Sequence, residues 1–192
     1  MYYDTGRRRP RRRSPEEVAM TIEEKLKKAG LTVPSLEDLY RTNAAGAHYI
    51  SHFPVQNLLY LSGTTPRKDG QGYLPGVVGK DLTVAQGYEA ARYAALTTLG
   101  TVKYALGDLE RVQQIVHMIG FVNSAPGFSD QPRVINGAAD LFVELFGERG
   151  KPTRAAIGCQ GLGGNASVEI IATVLFTGAD VRPPLARDHF QK

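Results

Sequence analysis

The chain has 192 residues, of which 42% are hydrophobic and 22% are charged. This composition is typical of a globular protein with one domain and a short appendage. No apolar run approaches the roughly 20 residues that a membrane-spanning helix needs, and the single cysteine, Cys159, excludes a disulfide within the chain. We therefore expect a cytoplasmic protein that does not bind a membrane.

Most of the net charge of +4 lies at the amino terminus. Residues 1–19 contain six arginines and three acidic residues, which leaves 17 basic and 16 acidic side chains in the rest of the chain. A nearly neutral body argues against a broad nucleic-acid-binding surface, because such surfaces need clustered Lys and Arg. We expect residues 1–19 to be a disordered tail, and contact of this tail with RNA or an acidic partner stays open.

Two helix-start patterns lie close together after the tail. Ser14-Pro-Glu-Glu17 and Thr21-Ile-Glu-Glu24 both have capping-box spacing, and a helical stripe then ends at Gly30. Met20 is therefore a second candidate for the start of the ancestral chain, and the sequence leaves this open. We expect a helix and connector at 20–43, an α+β domain at 44–178 and a C-terminal tail at 179–192.

The main domain is predicted to be a sheet with two helices on one face. Periodicity and turn residues predict the following elements in order: strands at 47–53 and 58–61, a loop at 64–82 with a short strand near Val77, a helix from Thr83 to Gly107, a strand at 111–123, a helix that Ser129 or Asp130 caps and Gly147 ends, and strands at 154–160 and 167–177. This order is typical of a mixed-sheet α+β fold.

The strand at 111–123 is apolar on both alternating faces, so we expect both of its sides to be covered and His117 to be a buried, hydrogen-bonded histidine. The helix-free face of the sheet would also carry apolar side chains from neighbouring strands. Exposed apolar surface of that extent usually marks an interface. The sequence therefore predicts a homo-oligomer.

Arg154 and Glu169 are the strongest candidates for a functional pair. They flank a Gly-rich turn between two predicted strands, and a hairpin there would bring both side chains toward one pocket. Arg matches a carboxylate with two parallel hydrogen bonds, and Glu can hold or transfer a proton. The alternative is an ordinary surface ion pair, which would contribute little.

Other motifs are weaker. The glycines at 161–164 precede a strand rather than the helix that a phosphate loop requires. His48 and His52 lie about 13 Å apart in an extended segment, too far to share a metal ion. Cys159 has only Arg154 nearby to hold a thiolate. We therefore predict no metal site and no cofactor.

Several motifs in the same order resemble the Rid family, the reactive intermediate deaminases of YjgF type that are also filed as L-PSP endoribonucleases. Leu59-Tyr-Leu-Ser-Gly-Thr-Thr-Pro66 resembles the family strand that ends in Ser-Gly-Gln-x-Pro, and Arg154 to Glu169 resembles its closing Arg-(14 residues)-Glu segment. The segment 121–137 is similar to a less characterised branch. The similarity covers about residues 20 to 177.

The resemblance implies a chorismate-mutase-like fold of the bacillus type and a homotrimer with sites between subunits. It implies that Arg154 binds the carboxylate of a small-molecule substrate and that Glu169 handles water or a proton. It adds four substrate-binding positions, namely Tyr49, Ser62, Asn136 and Ala156.

The family reaction hydrolyses an enamine or imine to a 2-keto acid and ammonia. The resemblance thus implies a 2-iminobutanoate/2-iminopropanoate-type deaminase without a metal or cofactor. Three departures leave the substrate open: Thr64 replaces the family glutamine, Ala156 replaces a residue that is often Cys, and Leu162-Gly163 replaces Leu-Pro. An endoribonuclease and a non-catalytic binder of small carboxylates or regulatory subunit remain alternatives.

Overall fold

The fold is known from a computed structural model that describes residues 20–42 and 48–187. The predicted tail at residues 1–19 lies outside the described residues. In chain order the elements are α1 (Ile22–Lys28), α2 (Leu36–Thr42), β1 (Tyr49–Ile50), β2 (His52–Val55), β3 (Leu58–Leu61), β4 (Arg67–Lys68), β5 (Gln71–Gly72), α3 (Val84–Leu106), β6 (Val112–Asn123), α4 (Gln131–Phe146), β7 (Thr153–Cys159), β8 (Val168–Phe176) and β9 (Ala186–Arg187).

Five of the strands form one mixed sheet in the order β2-β3-β8-β6-β7. β6 pairs with β7 in parallel, and the other neighbours are antiparallel. The predicted α+β mixed sheet is thereby confirmed. The predicted hairpin between the last two long strands is wrong, because β6 lies between β7 and β8. β7 and β8 run antiparallel but are not neighbours, so the Gly-rich segment after β7 carries the chain past β6 to its other side.

Helices α3 and α4 pack side by side on one face of the sheet, as predicted. A threonine caps α3 through a reciprocal capping box, Thr83 with Gln86, and Gly107 ends the helix at φ +78°. The two helices approach closely at Gly137, where a Cβ would overlap the backbone carbonyl of Tyr88. Burying their apolar faces against β6 and β8 forms the core, which includes Leu99, Val102, Leu141, Phe142, Met118, Ile170 and Val174.

β6 presents different residues to the two sides of the sheet. Met118 and Val122 face the helices and are fully buried, whereas His117 is exposed on the opposite face. The prediction of a buried His117 is therefore wrong. One ring nitrogen of His117 lies 2.9 Å from Thr153 Oγ1 on the neighbouring strand, and no helix in the described part of the chain covers this side of β6.

Three short elements differ from the sequence prediction. A helix, α2, occupies the expected connector, and its start is capped because Ser35 Oγ accepts a hydrogen bond from Asp38 N (3.2 Å). The loop at 64–82 contains the β4–β5 hairpin, while Val78 makes only isolated bridges. In the expected C-terminal tail, β9 pairs with β1. Such short elements have too few residues to show a period.

The helix-free face of the sheet carries a row of large exposed hydrophobic side chains. Strand registers place them on the side opposite α3 and α4, and they are Phe53, Val55, Tyr60, Ile157 and Ile171. We refer to this surface as the open face. Among residues 20–42 and 48–187, no helix combines the length and the apolar character needed to cross a membrane.

Candidate functional site

Arg154 lies near the start of the edge strand β7 and points to the helix side of the sheet. Its register partner on β6 is Met118, which is buried under the helices. Arg154 Nη2 donates a hydrogen bond to Asn136 Oδ1 on α4 at 2.6 Å and lies 3.5 Å from the Pro132 carbonyl oxygen. Both acceptors are neutral, so they orient the guanidinium without cancelling its charge. Arg154 is solvent-exposed and thus open to an anion.

Ala156 lies two residues further along β7, on the same side as Arg154. It pairs with Gly120 of β6 and packs against the core. The structure therefore brings together three of the predicted site residues, namely Arg154, Asn136 and Ala156. We call these three the arginine group.

Glu169 lies on β8 and points to the open face. Its partner on β6 is Phe121, three positions after Met118, and an odd offset on a strand places side chains on opposite faces. Glu169 is half-buried, and burial raises the pKa of its carboxyl group above the ordinary value of 4.5. Among the described ion pairs none involves Glu169. A carboxyl group in this setting retains its proton to higher pH.

The carboxylate of Glu169 lies directly against Gly63, where a Cβ would overlap it. A β-bulge creates this contact. Tyr60 pairs with Thr173 and Thr64 with Ile170, so three residues on the first segment oppose two on β8. Bulges redirect side chains and occur often beside functional sites. Only glycine leaves room for the carboxylate here.

Ser62 and Tyr49 lie beside this bulge. Ser62 Oγ donates to the Ile50 carbonyl oxygen at 2.5 Å, and Ser62 N donates to the Ser51 carbonyl oxygen at 3.1 Å. Tyr49, Ser62 and Gly63 line one pocket of about 70 Å³, several times the roughly 10–15 Å³ that one water molecule needs. Since Gly63 also touches the Glu169 carboxylate, we call Tyr49, Ser62 and Glu169 the glutamate group.

The pocket extends beyond the residues that the sequence pointed to. Its other walls come from α2, α3 and the segment after Gly63, namely Leu36, Leu39, Tyr40, Ser51, Thr64, Thr65, Arg67, Thr97 and Thr101. Sequence reasoning missed this set because α2 was not predicted. The threonines of α3 interrupt an otherwise apolar helix, and they were the feature of the sequence that could have indicated this pocket.

A buried histidine links the pocket to the C-terminal segment. His52 Nε2 lies 2.9 Å from the Arg182 carbonyl oxygen, and His52 Nδ1 lies 2.9 Å from Ser51 Oγ. A carbonyl oxygen only accepts, so Nε2 carries the proton and Nδ1 accepts from the serine. Burial lowers the pKa of His52, which keeps the ring neutral. Ser51 Oγ in turn accepts from Leu185 N at 3.0 Å, which ties the chain next to Tyr49 to the strand β9.

The two groups do not meet within one protomer. Arg154 points to the helix side and Glu169 to the open face, so the expectation that one hairpin directs both side chains into a single pocket is wrong for one copy of the chain. The reasons are the odd offset between their partners on β6, Met118 and Phe121, and the position of β6 between their strands. Within residues 20–42 and 48–187, no three His, Cys, Asp or Glu side chains are close enough together to bind a metal ion.

Comparisons with known proteins agree with this architecture. Residues 23–170 match the family model described as "YjgF/chorismate_mutase-like, putative endoribonuclease". The chain is 38% identical to Protein TCP17 of Trypanosoma cruzi over 150 residues, which cover 78% of this chain and 90% of that protein.

Two solved structures of bacterial relatives are similar over most of the chain. The protein Atu1372 of Agrobacterium tumefaciens, titled as having unknown function, has a TM-score of 0.72 and 39% identity and covers 81% of this chain and 92% of its own. A protein of Shewanella oneidensis titled "putative endoribonuclease" has a TM-score of 0.75 and 30% identity and covers 82% of this chain and 100% of its own. Together with the family match, these similarities establish that the chain belongs to the YjgF/chorismate-mutase-like family, which includes the Rid-type proteins.

Proposed function

We propose that the protein is a deaminase of the 2-iminobutanoate/2-iminopropanoate type, which hydrolyses reactive enamines and imines to 2-keto acids and ammonia. The observation that carries this proposal is the pair of complementary groups just described. An exposed arginine is oriented by a neutral amide, and a half-buried glutamate has a raised carboxyl pKa. The first suits the carboxylate of an imino acid, and the second suits proton transfer to it.

The proposed site lies between subunits. Because Arg154 and Glu169 point to opposite sides of one sheet, both can reach the same small molecule only if they come from different copies of the chain. The open face supports association, since exposed hydrophobic side chains of this number usually lie in an interface. We propose a homotrimer in which the arginine group of one subunit meets the glutamate group of the next.

In the proposed mechanism Arg154 binds the substrate carboxylate through two charge-assisted hydrogen bonds. The protonated form of Glu169, which burial favours by raising the pKa of its carboxyl group, donates its proton to the enamine β-carbon or to the imine nitrogen. Water then adds to the C=N carbon, and Glu169 as carboxylate accepts the proton that the water loses. Collapse of the carbinolamine breaks the C–N bond and releases ammonia and the keto acid.

The test is an assay of keto-acid formation from 2-aminoacrylate generated in place. We expect the wild-type protein to accelerate this reaction and Arg154→Ala to lower kcat/KM about 100-fold or more, the loss expected for two charge-assisted hydrogen bonds. Arg133→Ala is the matched control, because Arg133 is an exposed arginine one turn before Asn136 and, among the described residues, pairs only with Asp130 (3.3 Å). Full activity of Arg154→Ala would refute the assignment.

A second candidate is RNA cleavage, which the descriptions of the family and of the Shewanella relative favour. The basic tail at residues 1–19 is the feature of this chain that would contact phosphates. Deleting the tail separates the two activities, since RNA cleavage would then fall while deamination persisted. A binder of small carboxylates would show affinity for the substrate without accelerating its hydrolysis.

A further inference from the structure

The pocket beside Glu169 is lined mostly by hydroxyl groups. Eight of its twelve lining residues are Ser, Thr or Tyr, two are leucines, one is a glycine and one is an arginine. Several of these hydroxyls already bond within the protein, namely those of Ser51, Ser62, Thr64 and Thr97, but an alkyl group would still exclude water from the polar groups that do not, which is unfavourable. The lining therefore suits a polar or charged end of a ligand rather than a short aliphatic side chain.

Arg67 supplies the pocket with a positive charge. It is half-buried, it is the charged member of the pocket lining, and within the described part of the chain its guanidinium makes no ion pair or side-chain hydrogen bond. The hydroxyl of Thr101, on the α3 wall of the same pocket, likewise has no hydrogen-bond partner among the described residues. Both residues line the same space.

The neighbouring lysine does not share this role. Lys68 Nζ lies 5.1 Å from the ring centroid of Tyr73 and 5.5 Å from that of Tyr93, and the two rings are 4.4 Å apart. This contact fixes the β4–β5 hairpin on α3 and leaves Arg67 as the cation on the pocket side. The hairpin is thus anchored independently of Arg67.

We propose that Arg67 binds a second carboxylate of the substrate, so that the protein prefers the imines of dicarboxylic amino acids over those with short alkyl side chains. This inference rests on the proposed function, because it assumes that the ligand is a substrate. Binding of a carboxylate to Arg67 does not itself depend on catalysis. The pocket reaches Gly63, against which the Glu169 carboxylate lies. The pocket that Arg67 lines and the proposed proton donor are thus both in contact with Gly63. The planar guanidinium matches a carboxylate with two hydrogen bonds.

Isothermal titration calorimetry with two keto acids tests the inference. Both are product analogues, and 2-oxoglutarate carries the second carboxylate that 2-oxobutanoate lacks. We expect the wild-type protein to bind 2-oxoglutarate at least about tenfold more tightly, the effect of one charge-assisted pair. Arg67→Gln should remove this preference and leave the affinity for 2-oxobutanoate unchanged. Lys80→Gln, which removes an exposed positive charge outside the pocket, should retain the preference.

The same variants are then assayed with imines generated in place from glutamate and from 2-aminobutyrate. We expect kcat/KM for the glutamate imine to fall at least about tenfold in Arg67→Gln and not in Lys80→Gln. Equal affinity of the wild-type protein for both keto acids, or an unchanged preference in Arg67→Gln, would overturn the inference. If the protein accelerates the hydrolysis of neither imine but Arg67 still determines which keto acid binds more tightly, the deaminase proposal fails and the carboxylate site stands.

Discussion

Arg154 and Glu169 lie on opposite faces of the central sheet, because their partners on the strand between them, Met118 and Phe121, are three residues apart. Arg154 lies beside α4, where Asn136 holds it, and Glu169 lies against Gly63 on the other side. One protomer therefore carries both halves of the proposed site without joining them. The proposed activity therefore requires assembly of several copies of the chain.

Asn136 is predicted to position Arg154 without neutralising it. Replacing it by aspartate keeps the shape but places a carboxylate where the amide oxygen now lies, 2.6 Å from Arg154 Nη2. The new ion pair would compete with the substrate carboxylate, so we expect Asn136→Asp to raise KM about tenfold or more, and Asn136→Ala to raise it less. Steady-state kinetics on both variants checks this. Equal KM values in Asn136→Asp and the wild-type protein would rule out the positioning role.

The raised pKa of Glu169 predicts the pH dependence of activity. If the protonated carboxyl group is the donor, the rate falls as pH rises through this pKa, and Glu169→Gln removes that step from the pH profile while lowering the rate. A pH–rate profile of kcat/KM for both proteins is the measurement. An unchanged profile in Glu169→Gln would show that another group titrates.

The same shift predicts how stability depends on pH. A carboxyl group whose pKa is higher in the folded state than in the unfolded state stabilises the fold at pH values below the unfolded pKa. This contribution is lost as pH rises through the folded pKa. Glu169→Gln should therefore raise Tm relative to the wild-type protein at pH 8 and raise it less at pH 4. Thermal unfolding at the two pH values tests the sign, and a gain that is larger at pH 4 would contradict it.

Gly63 is predicted to be required for the location of the Glu169 carboxylate. A methyl group at Gly63 would overlap the end of a flexible side chain rather than the backbone, so Gly63→Ala should displace the carboxylate with little effect on Tm. We expect kcat to fall about tenfold or more, the effect of a misplaced proton donor. Gly161→Ala is the control, because its Cβ would meet nothing within 4 Å. Normal kcat in Gly63→Ala would exclude this role.

Gly137 is predicted to matter for stability. A Cβ there would overlap the Tyr88 carbonyl oxygen and force α3 and α4 apart, and overpacking of this kind costs about 1–3 kcal/mol. Urea unfolding of Gly137→Ala should show that loss, whereas Gly163→Ala, which has open space around it, should unfold like the wild-type protein. Wild-type stability of Gly137→Ala would mean that the helices can separate at little cost.

The long elements were predictable from sequence because each has a strong period and a clear end. Helix α3 begins at the capping box of Thr83 and ends at Gly107 as predicted, and β6 and β8 follow the predicted runs. The arginine and asparagine of the predicted site also lie within hydrogen-bond distance of each other. The helices and strands depend on local sequence and on spacing along one element, whereas Asn136 lies on a different element from Arg154 and was identified through the family resemblance.

The pairing of β7 and β8 could not be predicted in the same way. Periodicity does not reveal which strand becomes the neighbour of which, and a Gly-rich segment is compatible with both a hairpin and a crossing. The error about His117 has a related cause, since an apolar strand covered by helices on one side has the same pattern as one covered on both. The pocket was missed because α2, which forms one wall, is only seven residues long.

Mixed oligomers of Arg154→Ala and Glu169→Gln subunits test the central claim most directly. The two variants are coexpressed with different tags, and oligomers that carry both tags are purified. If each site takes Arg154 from one subunit and Glu169 from the next, every mixed trimer restores one complete site, and activity returns to about one third of the wild-type value. If one subunit supplies both residues, the mixed oligomers will be as inactive as the two parent variants, and the account is wrong.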